Sequence, residues 1–317
     1  MARNINKDTI EALADAAQEV PQEYRWIFTQ AFLLEKEGNP KIKISRFSGI
    51  FSINWLANFV LVPQVRRFLV IGSILSVFVL KFVFDWKFIF LSKKKMESTA
   101  KDGSNYFIGF GAAAEESMLK WYQQESSKDI KYISSARSLR SFYNISLIEL
   151  LKLTLRVYFK TDKYFPNLPV ESQSLRFELY WSFAKNVAHY CYWLSFFKKI
   201  KNGCLQSPEV LVIHTGISAF AAVSQELPVR FVAHGLLRHS IVFPDFEKVE
   251  VMTISEKKHV QKRLPHLNNI TLQKFRSIKS SSAEKSGILL VSAYGSGEEL
   301  DLFEIFSKRA RALNQTL

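Results

Sequence analysis

PEVLVIHT (208–215), GISAFAAVSQELP (216–228), VRFVAHGLL (229–237) and VEVMTISEKKHVQKRLP (249–265) read in turn as strand, helix, strand and strand-into-helix. That alternation is half of a Rossmann-type α/β domain. Within it, residues 211–214 are predicted as a buried strand, Thr215-Gly216 as its exit turn, 217–226 as a helix and 229–233 as the next strand, which delivers His234-Gly235 at its carboxyl end. In open α/β sheets ligands bind outside the carboxyl ends of the strands. His234 is therefore the candidate catalytic residue, as a general base on an acceptor hydroxyl or as a cation that steadies a phosphate leaving group. Gly235 lets the backbone approach a ligand closely. Arg238, in the same loop, is a candidate phosphate or carboxylate contact, and His214, ending the adjacent strand, lines the same cleft. A histidine that only caps its strand is the competing reading for His234.

Working towards the amino terminus, SKKKMESTAKDGSN (92–105) is a polar linker, and a βαβ opening follows it. Residues 106–111, YFIGFG, are predicted as a first strand ending in a glycine turn, 112–126 as a helix and 129–134 as a second strand. Gly109 and Gly111, with Ala114, match G-x-G-x-x-A in strand-turn-helix context, and Arg137 and Arg140 follow where a 2′-phosphate reader stands. No acidic ribose ligand closes the second strand, however, so a generic turn that contacts substrate is the preferred reading, and NAD(P) binding the alternative. Helices are expected over 145–160 and 175–201, both as packing elements, with the aromatic run His189, Tyr190, Tyr192, Trp193 assigned to core. His259 and His266 fall in a lysine-rich helical region and are expected at the surface.

Composition limits the classes. The chain has 317 residues, 48% hydrophobic and 14% aromatic, enough for a substantial core and incompatible with a disordered protein. A formal net charge of +14 directs it towards polyanions, either an anionic membrane surface or phosphorylated substrates. Neither an RNP-like aromatic signature nor zinc spacing nor a Gly-Lys phosphate loop is present, so nucleic acid is not an expected partner. Cys191 and Cys204 lack metal-like spacing and are expected to be reduced. No metal motif is found and no cofactor is expected.

The amino terminus lacks the apolar run and cleavage site of a signal peptide. Residues 68–91, FLVIGSILSVFVLKFVFDWKFIFL, would form a helix of about 36 Å against a bilayer core of roughly 30 Å. Lys81, Asp85 and Lys87 make a simple span costly, and an interfacial helix or an internal one are the other readings. Residues 51–95 together read as a membrane-attachment segment within a helical region 1–104. The Rossmann-like α/β domain is placed at 105–279. SSSAEK (280–285) reads as a linker, and GILLVSAYGSGEELDLFEIFSKRARAL (287–313) restarts with strand, glycine turn and helix, the opening of a second α/β domain over 280–317.

The stretch from the 211–214 strand through the His-Gly turn to SEKKHVQKRLP resembles part of the bacterial surface-polysaccharide glycosyltransferases, the capsule and lipopolysaccharide transferases of the GT-B type, including sialyltransferase-like and CDP-glycerol glycerophosphotransferase-like proteins. The resemblance covers residues 106–265 and is a pattern of elements rather than an exact motif. It implies two Rossmann-like domains facing each other across a cleft, the amino-terminal one taking the acceptor and the carboxyl-terminal one the nucleotide donor. His234 and Gly235 would face that cleft, and Ser255-Glu256 would start the helix after the following strand. The implied partners are a nucleotide-sugar donor, a glycan or lipid-linked acceptor and the anionic surface at the cytoplasmic face of the inner membrane. On this resemblance 280–317 holds only the start of a donor domain, which truncation or a second polypeptide completing the donor site would explain, unless the segment completes the first domain. A noncatalytic membrane-associated scaffold of polysaccharide assembly and an NAD(P)-dependent oxidoreductase are the alternatives.

Overall fold

The computed structural model describes residues 7–30, 64–65, 67–68, 71–72, 74–75, 104–109, 118–120, 122–123, 129–134, 147–168, 173–204, 206–233, 237 and 241–273. By internal contact the chain divides into Met1–Gln273 and Lys274–Leu317. The second unit, which contains the strand, glycine turn and helix expected after 280, lies outside the described residues.

The first unit is an α/β domain on a six-stranded, all-parallel sheet, compatible with a Rossmann-like fold. Its strands are β1 (Asn105–Gly109), β2 (Ile130–Ser134), β3 (Val210–Val212), β4 (Val229–Val232), β5 (Lys248–Val251) and β6 (Ile270–Leu272), in spatial order β2-β1-β3-β4-β5-β6. The chain moves one way along the sheet from β1 to β2 and the other way from β3 onwards, so the direction reverses between β1 and β3. Right-handed crossovers then place the helix after β1 on one face and the later helices on the opposite face.

Side-chain burial follows that division. Phe107, Leu211, Ile213 and Val232 point to one face and meet Met118, Leu119 and Tyr122 of the β1–β2 connection. Their neighbours in sequence, Tyr106, Ile108, Val210, Val212, Phe231 and Ala233, point to the other face and join the main core, as the two-residue period of a strand requires. The first face carries a charged cluster as well. The Glu250 carboxylate, almost wholly buried, pairs with Arg230 and with Lys248 at 2.8 Å and accepts from the Tyr122 hydroxyl at 3.3 Å. The Arg230 guanidinium lies 4.6 Å from the centroid of the Tyr122 ring.

The main face is covered by α1 (Lys7–Gln18), α2 (Gln22–Arg25), a 3₁₀ turn at Trp26–Gln30, α3 (Leu147–Tyr164), α4 (Gln173–Gly203), α5 (Ile217–Ser224) and α6 (Ile254–Arg263). α4 supplies most of the aromatic mass: Phe183, Tyr190, Trp193 and Phe197 are buried, with Trp26 stacked on Tyr190 at 4.4 Å. Thus Tyr190, Tyr192 and Trp193 are core residues, as expected for an aromatic stripe on a long helix.

Several boundaries differ from the sequence reading, and each for a local reason. β3 stops at Val212, two residues short of His214, and β4 stops at Val232. α5 ends at Ser224 because the next residues close it: Glu226 N–H bonds Val223 C=O at 2.8 Å, Leu227 N–H bonds Ala222 C=O at 3.2 Å, and Glu226 stands at φ 55°. That is a Schellman stop with glutamate where glycine is usual. β6 was not expected at all; only Ile270 of its three residues is buried.

The described part of the apolar segment is helical at 64–65, 67–68, 71–72 and 74–75. Ile74 is buried in the main core, whereas Phe68 and Leu75 are exposed. The remainder of 51–95 lies outside the described residues. Among the described residues, no helix is long and apolar enough to cross a membrane.

Candidate functional site

The carboxyl edge of the sheet near the β1/β3 reversal is where an open α/β sheet opens a crevice between diverging connections. Two of the expected site residues are brought together there. Gly109 closes β1, one residue past the Ile108–Val212 pair, and His214 stands two residues past the end of β3. His214 is half-buried and Gly109 is buried. After Thr215, Gly216 caps α5 with extended backbone (φ −86°, ψ 178°), and Ala219 N–H bonds its carbonyl at 3.0 Å, so α5 starts at the same edge. Helix amino ends present unpaired N–H groups and a partial positive charge.

Gly111, His234, Gly235 and Arg238 lie outside the described residues. The residues that hold the ends and middle of the 234–240 segment are described. On its amino side, Ala233 N–H bonds Glu250 C=O at 2.8 Å and Ala233 C=O accepts from the Gln273 side-chain amide. On its carboxyl side, the Ile241 carbonyl accepts from the Arg263 guanidinium, whose Nε also meets Asp15 at 3.0 Å. Between them, Leu237 N–H donates to Glu256 Oε1 at 2.8 Å.

Glu256 is the residue whose role sequence reasoning missed. The helix α6 is capped by Thr253, whose hydroxyl accepts from Glu256 N–H at 3.2 Å, while Glu256 Oε2 accepts from Met252 N–H and Thr253 N–H at 2.9 Å each. Thr253-x-x-Glu256 is a capping box and was readable as such; the extra bond to Leu237, nineteen residues away, was not. The resemblance placed a helix start at Ser255-Glu256, and the cap lies at Thr253. A buried carboxylate with three backbone donors is a rigid pin, and here it ties the Leu237 backbone to the helix after β5.

Other ionisable groups are fitted to structure rather than chemistry. His189 accepts from Trp193 Nε1–H at 2.9 Å, and burial holds its pKa below the ordinary value. Burial pushes the Cys191 thiol up to about 12, which leaves it unreactive at neutral pH. His266 is exposed, 3.5 Å from Asp245, while His259 is half-buried against Phe243. Among the described residues, no group of three or more His, Cys, Asp or Glu side chains is placed to hold a metal ion.

Comparison with known protein families, curated proteins and solved structures gives no match to this chain.

Proposed function

We propose that the protein is a glycosyltransferase of bacterial surface-polysaccharide biosynthesis, moving a sugar from a nucleotide-activated donor to a glycan or lipid-linked acceptor. The observation that supports this most is the carboxyl edge of the parallel sheet: Gly109 and His214 stand at the ends of the neighbouring strands β1 and β3 at the strand reversal, and β4, next to β3, ends just before His234-Gly235 in the sequence. On this reading the described domain is the acceptor half of a GT-B pair. The acceptor oxygen forms a bond to the anomeric carbon, the bond from that carbon to the donor phosphate breaks, and His234 takes the acceptor proton and, once protonated, steadies the departing phosphate. Glu256 acts only by positioning the loop. Segment 51–95 would bring the chain to the cytoplasmic face of the inner membrane, where a lipid-linked acceptor is found.

A second reading, NAD(P)-dependent oxidoreduction, is favoured by one feature, the position of Gly109, the first glycine of the G-x-G-x-x-A sequence, at the end of β1 beside the strand reversal. One experiment separates them. Thermal unfolding is followed with CMP-, CDP-, UDP- and GDP-sugars and with the nicotinamide cofactors; a ligand at a hundred times its dissociation constant adds about 2.7 kcal/mol. A rise with one nucleotide sugar, together with loss of transfer in His234→Ala at unchanged melting temperature, is the expected result. A rise with nicotinamide cofactors alone would replace the transferase with the oxidoreductase, and no rise with any ligand would remove donor binding from this chain.

A further inference from the structure

The outer side of α3 carries an unusual combination of residues. At about 100° per residue, Ile148, Phe159, Lys152, Lys163, Arg156 and Lys160 fall within an arc of roughly 120°. The opposite side, Leu150, Thr154, Tyr158 and Thr161, is buried. Single exposed apolar residues are ordinary. Here, however, Ile148 is 67% exposed and Phe159 41% exposed, on one strip with four cations. Arg67 is bonded to the buried Asp162 at 2.8 Å, which holds the segment bearing Phe68, 79% exposed, against the same helix.

Three of the four cations are not spent on described neighbours. Lys160 is paired with Glu23 at 2.7 Å and lies over the Tyr24 ring. Lys152, Arg156 and Lys163 are exposed and have no ion-pair partner among the described residues. Arg156, Lys160 and Lys163 also rim an open groove of about 620 Å³ beside Phe159 and the stacked rings of Tyr24 and Tyr164, 4.1 Å apart.

We propose that this strip is the surface on which the protein lies against an anionic lipid bilayer. Ile148, Phe159 and Phe68 enter the interfacial layer, Lys152, Arg156 and Lys163 pair with headgroup phosphates, and the groove takes one headgroup. Lipid is preferred to nucleic acid because the exposed apolar groups include an aliphatic side chain and a phenylalanine at the start of the apolar segment 68–91; a phosphate backbone gains nothing from either, whereas an interfacial helix buries such a face. The inference goes beyond the transferase reading: it shares with it only Phe68, at the start of the apolar segment, and uses none of the residues assigned to the reaction.

The test is sedimentation of the full chain with phosphatidylcholine vesicles, with and without phosphatidylglycerol. Each cation near an anionic surface contributes roughly a five-fold gain in partition, so the triple variant Lys152→Gln/Arg156→Gln/Lys163→Gln should bind phosphatidylglycerol vesicles roughly 100-fold more weakly. Its melting temperature should match the parent, since these side chains are exposed and have no ion-pair partner among the described residues. Segment 51–95 is intact in this variant, so the loss belongs to α3. A control, Lys198→Gln/Lys199→Gln/Lys258→Gln, removes equal charge elsewhere and should retain binding. Ile148→Ser/Phe159→Ser should weaken binding further at high salt, where the charge term is screened. The proposal is overturned if the triple variant binds like the parent, if the control loses as much, if the parent ignores phosphatidylglycerol, or if RNA outcompetes vesicles for the parent.

Discussion

His189 shows how one polar atom constrains a core made largely of aromatic rings. The Trp193 indole N–H can only donate, so the Nε2 it meets at 2.9 Å must carry no proton, and the imidazole is neutral in the fold. Burial pushes in the same direction. The folded pKa therefore lies below the ordinary value of about 6.5, while the unfolded chain keeps that value. The stability this contributes is present above about pH 6.5 and is lost as pH falls towards the folded pKa, because the unfolded chain takes up a proton that the native state refuses. Urea unfolding at pH 7 and pH 5.5 should show a drop in the parent of up to about 1.4 kcal/mol per pH unit from this group, and a smaller drop in His189→Phe. Equal slopes would show that His189 is protonated in the fold. The sequence allowed the assignment of this run to core, since aromatic residues crowd one long helix. It did not disclose the bond, because whether an i,i+4 His–Trp pair closes depends on what packs over both rings.

At the scale of single elements, the strands with strong apolar runs were legible and the weak ones were not. β1 to β5 are found where Phe107, Ile130, Leu211, Phe231 and Val249 announce them. β6 was missed because Thr271 and Leu272 face outwards and only Ile270 reaches the core, too little for a pattern. The stop of α5 was also hidden: a sequence signal for a left-handed cap is glycine, and this chain uses Glu226. A side chain at φ 55° costs roughly 1 kcal/mol, and the Glu226–Lys201 pair, on a glutamate 86% exposed, returns little of it. Glu226→Gly is therefore expected to stabilise the protein by about 0.5–1 kcal/mol, read as a higher melting temperature; a lower one would mean that the ion pair outweighs the backbone strain. Glu256 gives the opposite case. Glu256→Ala orphans three backbone N–H groups, so a loss of about 1–3 kcal/mol is expected. Hydrogen exchange supplies the more specific readout. The Leu237 amide should lose protection in this variant beyond what the global loss explains. Unchanged Leu237 protection would break the claim that Glu256 pins the loop after His234.

The whole unit depends on residues whose sequence gave no sign of it. In the sequence residues 7–30 are only part of a helical region 1–104, yet they are built into the core on the main face of the sheet. Gln18 accepts from Phe243 N–H at 3.0 Å and donates to Phe243 C=O at 2.9 Å, so its side chain behaves as a strand partner 225 residues away. Asp15 joins α1 to α6 through Lys262 at 2.9 Å and Arg263 at 3.0 Å; burial opposes its ionisation, but these two cations outweigh that and hold its carboxyl below the usual range. The amphipathic pattern of α1 shows that one side is buried but cannot name its partner, because long-range pairing depends on the topology of the whole sheet. The apolar contribution sets the scale. Leu13, Val20, Tyr24, Trp26, Ile27 and Phe28 are all buried, and at about 1.5–3 kcal/mol each they amount to of the order of 10 kcal/mol. That is comparable with the entire net stability of a domain, about 5–15 kcal/mol. A chain that starts at Ala31 is therefore expected to lose its cooperative unfolding transition, and Trp26→Ala, with a deletion of the ring stacked on Tyr190, to lose about 3–5 kcal/mol by itself. Calorimetry on the shortened chain decides the point: a transition within a few degrees of the parent's would show that the sheet and α3 to α6 hold together alone, and that the amino-terminal helices are an accessory layer rather than part of the core.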